Sequence, residues 1–103
     1  MKIGLVSDIH GNPDGLKKCL TFMVHKGVDQ FLFLGDMVGY LPDVKPALDM
    51  LIEHHVECVL GNHDAMLLNR LPLDHEKDKI YRLSDTRSSL TDIIIAEIRT
   101  WLP

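Results

Sequence analysis

The chain has 103 residues, enough for one domain with a modest core and too few for a multidomain enzyme. Hydrophobic residues make up 46% and charged residues 25%, which excludes a disordered or fibrous chain. Eleven Lys and Arg against fifteen Asp and Glu give a net charge of -4, with no basic run or basic helical face, so the charge pattern offers nothing for a nucleic acid or an anionic membrane.

The first apolar run, Lys2 to Ser7, is rich in branched residues and stops at polar ones; it predicts a buried strand. Asn12-Pro13-Asp14 reads as a helix start, with an N-cap Asn, Pro in the first position and an acid in the first turn. Leu16, Cys19, Leu20, Met23 and Val24 then share a helical face, and Lys26-Gly27 supplies the stop. Gln30 to Leu34 repeats the strand pattern. Pro42-Asp43 opens a second helix whose stripe is Val44, Ala47, Leu48, Leu51 and Ile52. Glu57 to Leu60 is a third, shorter strand. Ala65 to Asn69 predicts a short helix, closed by Leu71-Pro72, and the polar stretch Leu73 to Leu83 reads as a loop. Thr91 is the expected N-cap of a last helix, with Leu90 packing on Ile95 and Ile94, Ile95, Ile98, Trp101 and Leu102 as its apolar face.

Strand, helix, strand, helix, strand means an α/β fold: a βαβαβ parallel sheet with flanking helices and right-handed crossovers, in a single domain over residues 1–103. Cys19 and Cys58 match no zinc spacing and are too few for a disulfide framework, so both are expected as buried free thiols. No apolar stretch is long enough to span a bilayer, and the N-terminus turns polar too early for a signal peptide; the cytoplasm is the expected location.

Three polar turns each follow a predicted strand: Ser7-Asp8-Ile9-His10-Gly11-Asn12, Gly35-Asp36-Met37-Val38-Gly39 and Gly61-Asn62-His63-Asp64. Parallel strands end on one edge of the sheet, where ligand sites form, so topology alone gathers Asp8, His10, Asp36, Asn62, His63 and Asp64. Carboxylates with an imidazole and an amide oxygen suit a divalent ion of borderline hardness such as Mn²⁺, Fe²⁺ or Zn²⁺. Any one of these turns alone is more commonly a turn or a helix cap; their joint occurrence at three consecutive strand ends favours a site. His25, His54 and His55 precede strands and are expected at the opposite edge, at helix C-termini. His75 falls in the polar stretch.

Asp8-Ile9-His10, Gly35-Asp36-Met37-Val38-Gly39 and Gly61-Asn62-His63-Asp64 resemble the first three motifs of the calcineurin-like metallophosphoesterases. Asp8-Ile9-His10-Gly11-Asn12 and Gly35-Asp36-Met37-Val38-Gly39-Tyr40 are similar in particular to its small bacterial phosphodiesterase branch, and Thr86 to Pro103 resembles the helix that follows there. The resemblance implies that Asp8 and His10 bind a first divalent metal, that Asp36 bridges two, and that Asn62 binds the second. It implies that His63 faces the scissile phosphate as general acid or phosphate donor, with Asp64 orienting its ring. The implied reaction is hydrolysis of a small phosphate ester, as a phosphodiesterase or phosphatase, by attack of metal-bound hydroxide on phosphorus. Tyr40-Leu41-Pro42-Asp43 stands where protein phosphatases of this group carry an Arg, which disfavours that substrate class. The later histidine motifs of the family, including Gly-His-x-His, are absent. The expectation is therefore the N-terminal half of a metallophosphoesterase α/β sandwich. It would bind metal weakly, and it would self-associate through unpaired sheet edges or take up a completing C-terminal half. The alternative is a catalytically inactive metal-binding or interaction module.

Overall fold

The branched residues at the N-terminus form β1 (Ile3–Val6), the first strand of a computed structural model that describes residues 1–103. It is followed by α1 (Pro13–His25), β2 (Gln30–Phe33), α2 (Val44–Glu53), β3 (Glu57–Cys58), α3 (Asn62–Leu67), α4 (His75–Tyr81), α5 (Leu83–Ser89) and α6 (Asp92–Arg99). The sheet is parallel in the order β1-β2-β3, with Val6 opposite Phe33 and Phe33 opposite Cys58. All three strands therefore end at the same edge, as the βαβαβ pattern requires. Leu102 continues the sheet beside the third strand: it bridges Val59 in parallel, and its carbonyl accepts the Leu60 N–H at 2.6 Å.

The predicted caps form. The Asn12 side chain accepts the Gly15 N–H at 3.2 Å, and the Thr91 hydroxyl accepts that of Ile94 at 3.3 Å. Leu16 and Leu20 of α1 are buried, with Val44, Ala47, Leu48 and Leu51 of α2 and Ile94 and Ile98 of α6. Trp101, placed after the last helix, is buried against Phe33, ring centroids 5.7 Å apart and edge to face.

The helices cover only one face of the sheet. A side chain at Gly4 would meet Met23 of α1, Phe31 packs its ring against His54 at the end of α2, and Phe33 meets Trp101. The alternate residues of β1 point the other way, and Ile3 and Leu5 stay 52% and 61% exposed. The expectation of a buried strand is thus corrected in part: β1 alternates, because nothing packs on its outer face. Cys19 is likewise exposed rather than buried, and Cys58 is half-buried. Ile52 and Leu102 also lie outside the core.

Two further expectations change. The short helix starts at Asn62 rather than Ala65, because the Asp64 carboxylate accepts the Gly61 N–H at 3.0 Å and so makes Gly61 the N-cap. The expected loop Leu73 to Leu83 is largely α4, capped by Asp74, which accepts the Lys77 N–H at 2.8 Å, and braced by a Glu76–Lys79 ion pair. This helix buries no residue, so it carries no apolar periodicity to read. Arg82, in the left-handed region at φ 59°, breaks it from α5. The α5 segment is tied to the end of α3 by Arg87, whose Nε and Nη2 donate to the carbonyls of Leu67 and Met66 at 2.8 and 2.9 Å.

Candidate metal centre

The turn after β1 is held to the turn after β2 by backbone hydrogen bonds that continue the sheet beyond its strands. Asp8 N–H donates to Gly35 O at 2.9 Å, His10 N–H to Asp36 O at 2.9 Å and Gly11 N–H to Met37 O at 2.7 Å. Asp8, His10 and Asp36 all lie in the left-handed region, at φ 58°, 49° and 66°. Non-glycine residues occupy that region at a cost of about 1–3 kcal/mol each, and such residues concentrate at functional sites. The third turn joins through close contact. Gly35, at φ 108°, has no Cβ, and one there would strike the backbone of Gly61.

The strained turns bring ligand atoms of Asp8, His10 and Asp36 within 4.8 Å of one another. Asp8 and His10 meet because of these turns, not as alternate residues of a continuing strand; Oδ1 of Asp8 is 3.4 Å from Nε2 of His10. The other imidazole nitrogen, Nδ1, is 2.8 Å from the Val38 carbonyl. A carbonyl only accepts, so Nδ1 carries the proton and Nε2 presents its lone pair to the carboxylates, the tautomer a metal-binding histidine needs. The Ser7 hydroxyl donates to Oδ2 of Asp8 at 2.6 Å and holds that carboxyl below the usual carboxylate range. Two carboxylates and a free imidazole nitrogen at this spacing fit a divalent cation of borderline hardness.

Asn62 stands exposed at the first position of α3. The next residue, His63, donates its backbone N–H to Oδ1 of Asp36 at 2.9 Å, which fixes the start of that helix against the cluster. His63 is 95% buried, and its ring lies among those of His10, Tyr40 and Tyr81, with centroids 4.9, 5.5 and 4.4 Å away. Its Nδ1 is buried without a hydrogen-bond partner. Gly39, at φ 102°, makes room for it, since a Cβ there would overlap Nδ1.

Asp64 does not orient this ring. It is fully buried, and its two oxygens accept four backbone N–H groups: Asp36 at 2.8 Å, Gly61 at 3.0 Å, Met37 at 2.9 Å and Val38 at 3.3 Å. Burial pushes its carboxyl above the usual range, against the pull of the Gly61, Asp36 and Met37 N–H groups. Its place is between the second and third turns, as the clamp that holds both.

His25, His54 and His55 end α1 and α2 and so lie at the other edge of the sheet, as expected. His54 hydrogen-bonds the Met50 carbonyl at 2.9 Å. His75 opens α4, and it is the far end of that helix, Tyr81, that reaches the site. Sequence reasoning missed Tyr81 altogether, and it took Tyr40 only as part of the second motif, with no role at the site.

The family described as calcineurin-like phosphoesterase matches residues 1–101. Over 73 residues the chain is 32% identical to an uncharacterized protein of Methanocaldococcus jannaschii, covering 71% of this chain and 30% of that protein. A solved metallophosphoesterase from Sphaerobacter thermophilus has the same fold at a TM-score of 0.76 and 28% identity, over 100% of this chain and 42% of that one. A second solved structure, named as a candidate diadenosine tetraphosphatase, aligns at a TM-score of 0.70 and 27% identity, over 96% of this chain and again 42% of that one. The chain thus spans less than half the length of each of these relatives.

Proposed function

The chain belongs to the calcineurin-like phosphoesterase family, and on that premise we propose that it carries the metal-binding half of a phosphoester hydrolase acting on small phosphate mono- or diesters. The observation that supports this most directly is the cluster of Asp8, His10 and Asp36 within 4.8 Å, with the imidazole proton fixed on the far nitrogen. Asp8 and His10 would hold one divalent ion such as Mn²⁺, Fe²⁺ or Zn²⁺. Asp36 would be shared with a second ion, and Asn62 would complete that ion's ligands from this chain. Such ions supply an acidified water nucleophile and offset charge on the phosphate oxygens.

The remaining steps fall to side chains. His63, at the first turn of α3 beside Asp36, presents its ring to the substrate and moves a proton to the leaving oxygen or donates a hydrogen bond to the phosphate. Asp64 acts as a positioning residue: by holding the N–H groups of Asp36, Met37 and Val38 it fixes the turn that carries the shared carboxylate. A second reading, a metal-binding module that works through association rather than turnover, draws support from the uncovered face that exposes Ile3 and Leu5.

The test is metal binding by calorimetry and hydrolysis of bis(p-nitrophenyl) phosphate with added Mn²⁺. Asp36→Ala is expected to lose metal. His63→Ala is expected to keep it and to lower any turnover by ~10²–10⁴-fold. Metal loss in both variants would make His63 a ligand and overturn its role; metal-dependent turnover by the native chain would remove the second reading.

A further inference from the structure

The His63 ring has no hydrogen bond to fix its rotation. Its Nδ1 is buried without a partner, and the adjacent carboxylate, Asp64, is engaged by backbone N–H groups. Rotation about the bond to an imidazole is soft, with broad minima, so packing must set the ring's direction. Of the three rings around it, Tyr81 is nearest, at 4.4 Å and a 41° tilt. Tyr40 lies 5.5 Å from His63 and meets His10 edge to face at 5.0 Å.

Tyr81 ends a helix that buries nothing, so its own placement needs an explanation. Its carbonyl accepts the Tyr40 N–H at 2.6 Å, and the two tyrosine rings pack edge to face at 5.6 Å. On its other side, Arg82 turns the chain in the left-handed region, and Leu83 is fully buried. The Arg82 guanidinium pairs with Asp85 at 2.6 Å, bracing that turn. Tyr81 is therefore tethered from both directions: to the second metal-side turn through Tyr40 and to the core through Leu83. Tyr40 itself is held at φ 68°, an unfavourable conformation for an aromatic residue that places its N–H on the Tyr81 carbonyl.

We propose that Tyr81, latched by the Tyr40 N–H, is a positioning residue that fixes the direction of the His63 imidazole. The inference rests on the reading of His63 as the group that faces the phosphate. The ring of Tyr81, not its hydroxyl, does this, because the contact is ring against ring, 4.4 Å between centroids with a 41° tilt. A displacement of the order of 1 Å in such a group lowers turnover about 10²-fold.

The test uses the full chain in its metal-free state and then with Mn²⁺. In the native chain, nuclear Overhauser contacts are expected between the His63 and Tyr81 ring protons, with the His63 signals shifted upfield by the ring current. Tyr81→Leu should remove that shift and broaden the His63 signals; Tyr81→Phe should keep both. The absence of the contact in the native chain, or unchanged His63 signals in Tyr81→Leu, would overturn the proposal, as would loss of the shift in Tyr81→Phe. With Mn²⁺ and bis(p-nitrophenyl) phosphate, Tyr81→Leu is expected to lose turnover about 10–10²-fold at unchanged metal affinity, and Tyr81→Phe to retain it. If the native chain has no turnover, the ring signals alone decide the role of Tyr81.

Discussion

Asp64 and Cys58 are near neighbours with opposite uses of burial. The carboxylate is fully buried but accepts four N–H groups, so its desolvation is offset by hydrogen bonds that also shape the metal-side turn. The thiol accepts no N–H group; it donates to the Val56 carbonyl at 3.6 Å, which it can do only while protonated. Burial, then the charges of Glu97 and Asp64, push it up to about 12. Only the thiolate is nucleophilic, so at pH 8 Cys58 should react with iodoacetamide about 10³-fold more slowly than an ordinary exposed thiol. Cys19 lies exposed on α1. Mass spectrometry of a timed alkylation should show one adduct forming quickly, at Cys19, and the second only after denaturation. Two adducts at equal rates would mean that β3 opens readily in solution.

At the scale of elements, the two short helices after the third turn owe little to apolar burial on the first of them. What joins α4 to α5 is the left-handed Arg82 and the Asp78 carboxylate, whose Oδ1 accepts the Ser84 N–H at 3.1 Å. That hydrogen bonding at Ser84 lowers the Asp78 carboxyl below its ordinary 3.8. A lowered carboxylate stabilises the fold above its unfolded value and loses that contribution as the pH falls through its folded value. Because the group is largely in water, the effect is under ~1 kcal/mol. Urea denaturation of the native chain and Asp78→Asn should therefore differ most at neutral pH and converge as the pH drops below 3.8. A gap that stays constant down to pH 2 would assign the stabilisation to hydrogen bonding alone.

For the molecule as a whole, the decisive feature is the uncovered face of the sheet. Ile3, Leu5 and Leu34 are 52%, 61% and 48% exposed, and the outer edge of β1 has no neighbour. Parallel sheets are ordinarily covered on both faces, and an exposed apolar edge is a template for pairing with another chain. Sedimentation velocity is expected to show concentration-dependent self-association of the isolated chain. Leu5→Lys, which places a charge on that face without touching the core, should shift it toward monomer. A native chain that stays monomeric at high concentration would remove the association reading. No helix here is long and apolar enough to cross a membrane.

The sequence alone determined the element order through β3, the caps at Asn12 and Thr91, and the three turns that carry Asp8, His10, Asp36, Asn62, His63 and Asp64. Those features are local: apolar period, capping chemistry and residue type can be read in a window of a few residues. Tertiary structure decided the rest. The left-handed backbone of Asp8, His10 and Asp36 goes with hydrogen bonds between the first two turns, which join residues far apart in the chain. Asp64 looks like a partner for its neighbour His63 until folding brings the N–H groups of Asp36, Met37 and Val38 to its oxygens. Tyr81 gave no signal, because its helix has no buried stripe and its contacts are to residues far along the chain. Whether a strand's second face is covered is likewise set by what packs on it, and Ile3-Gly4-Leu5-Val6 reads the same with that face covered or bare.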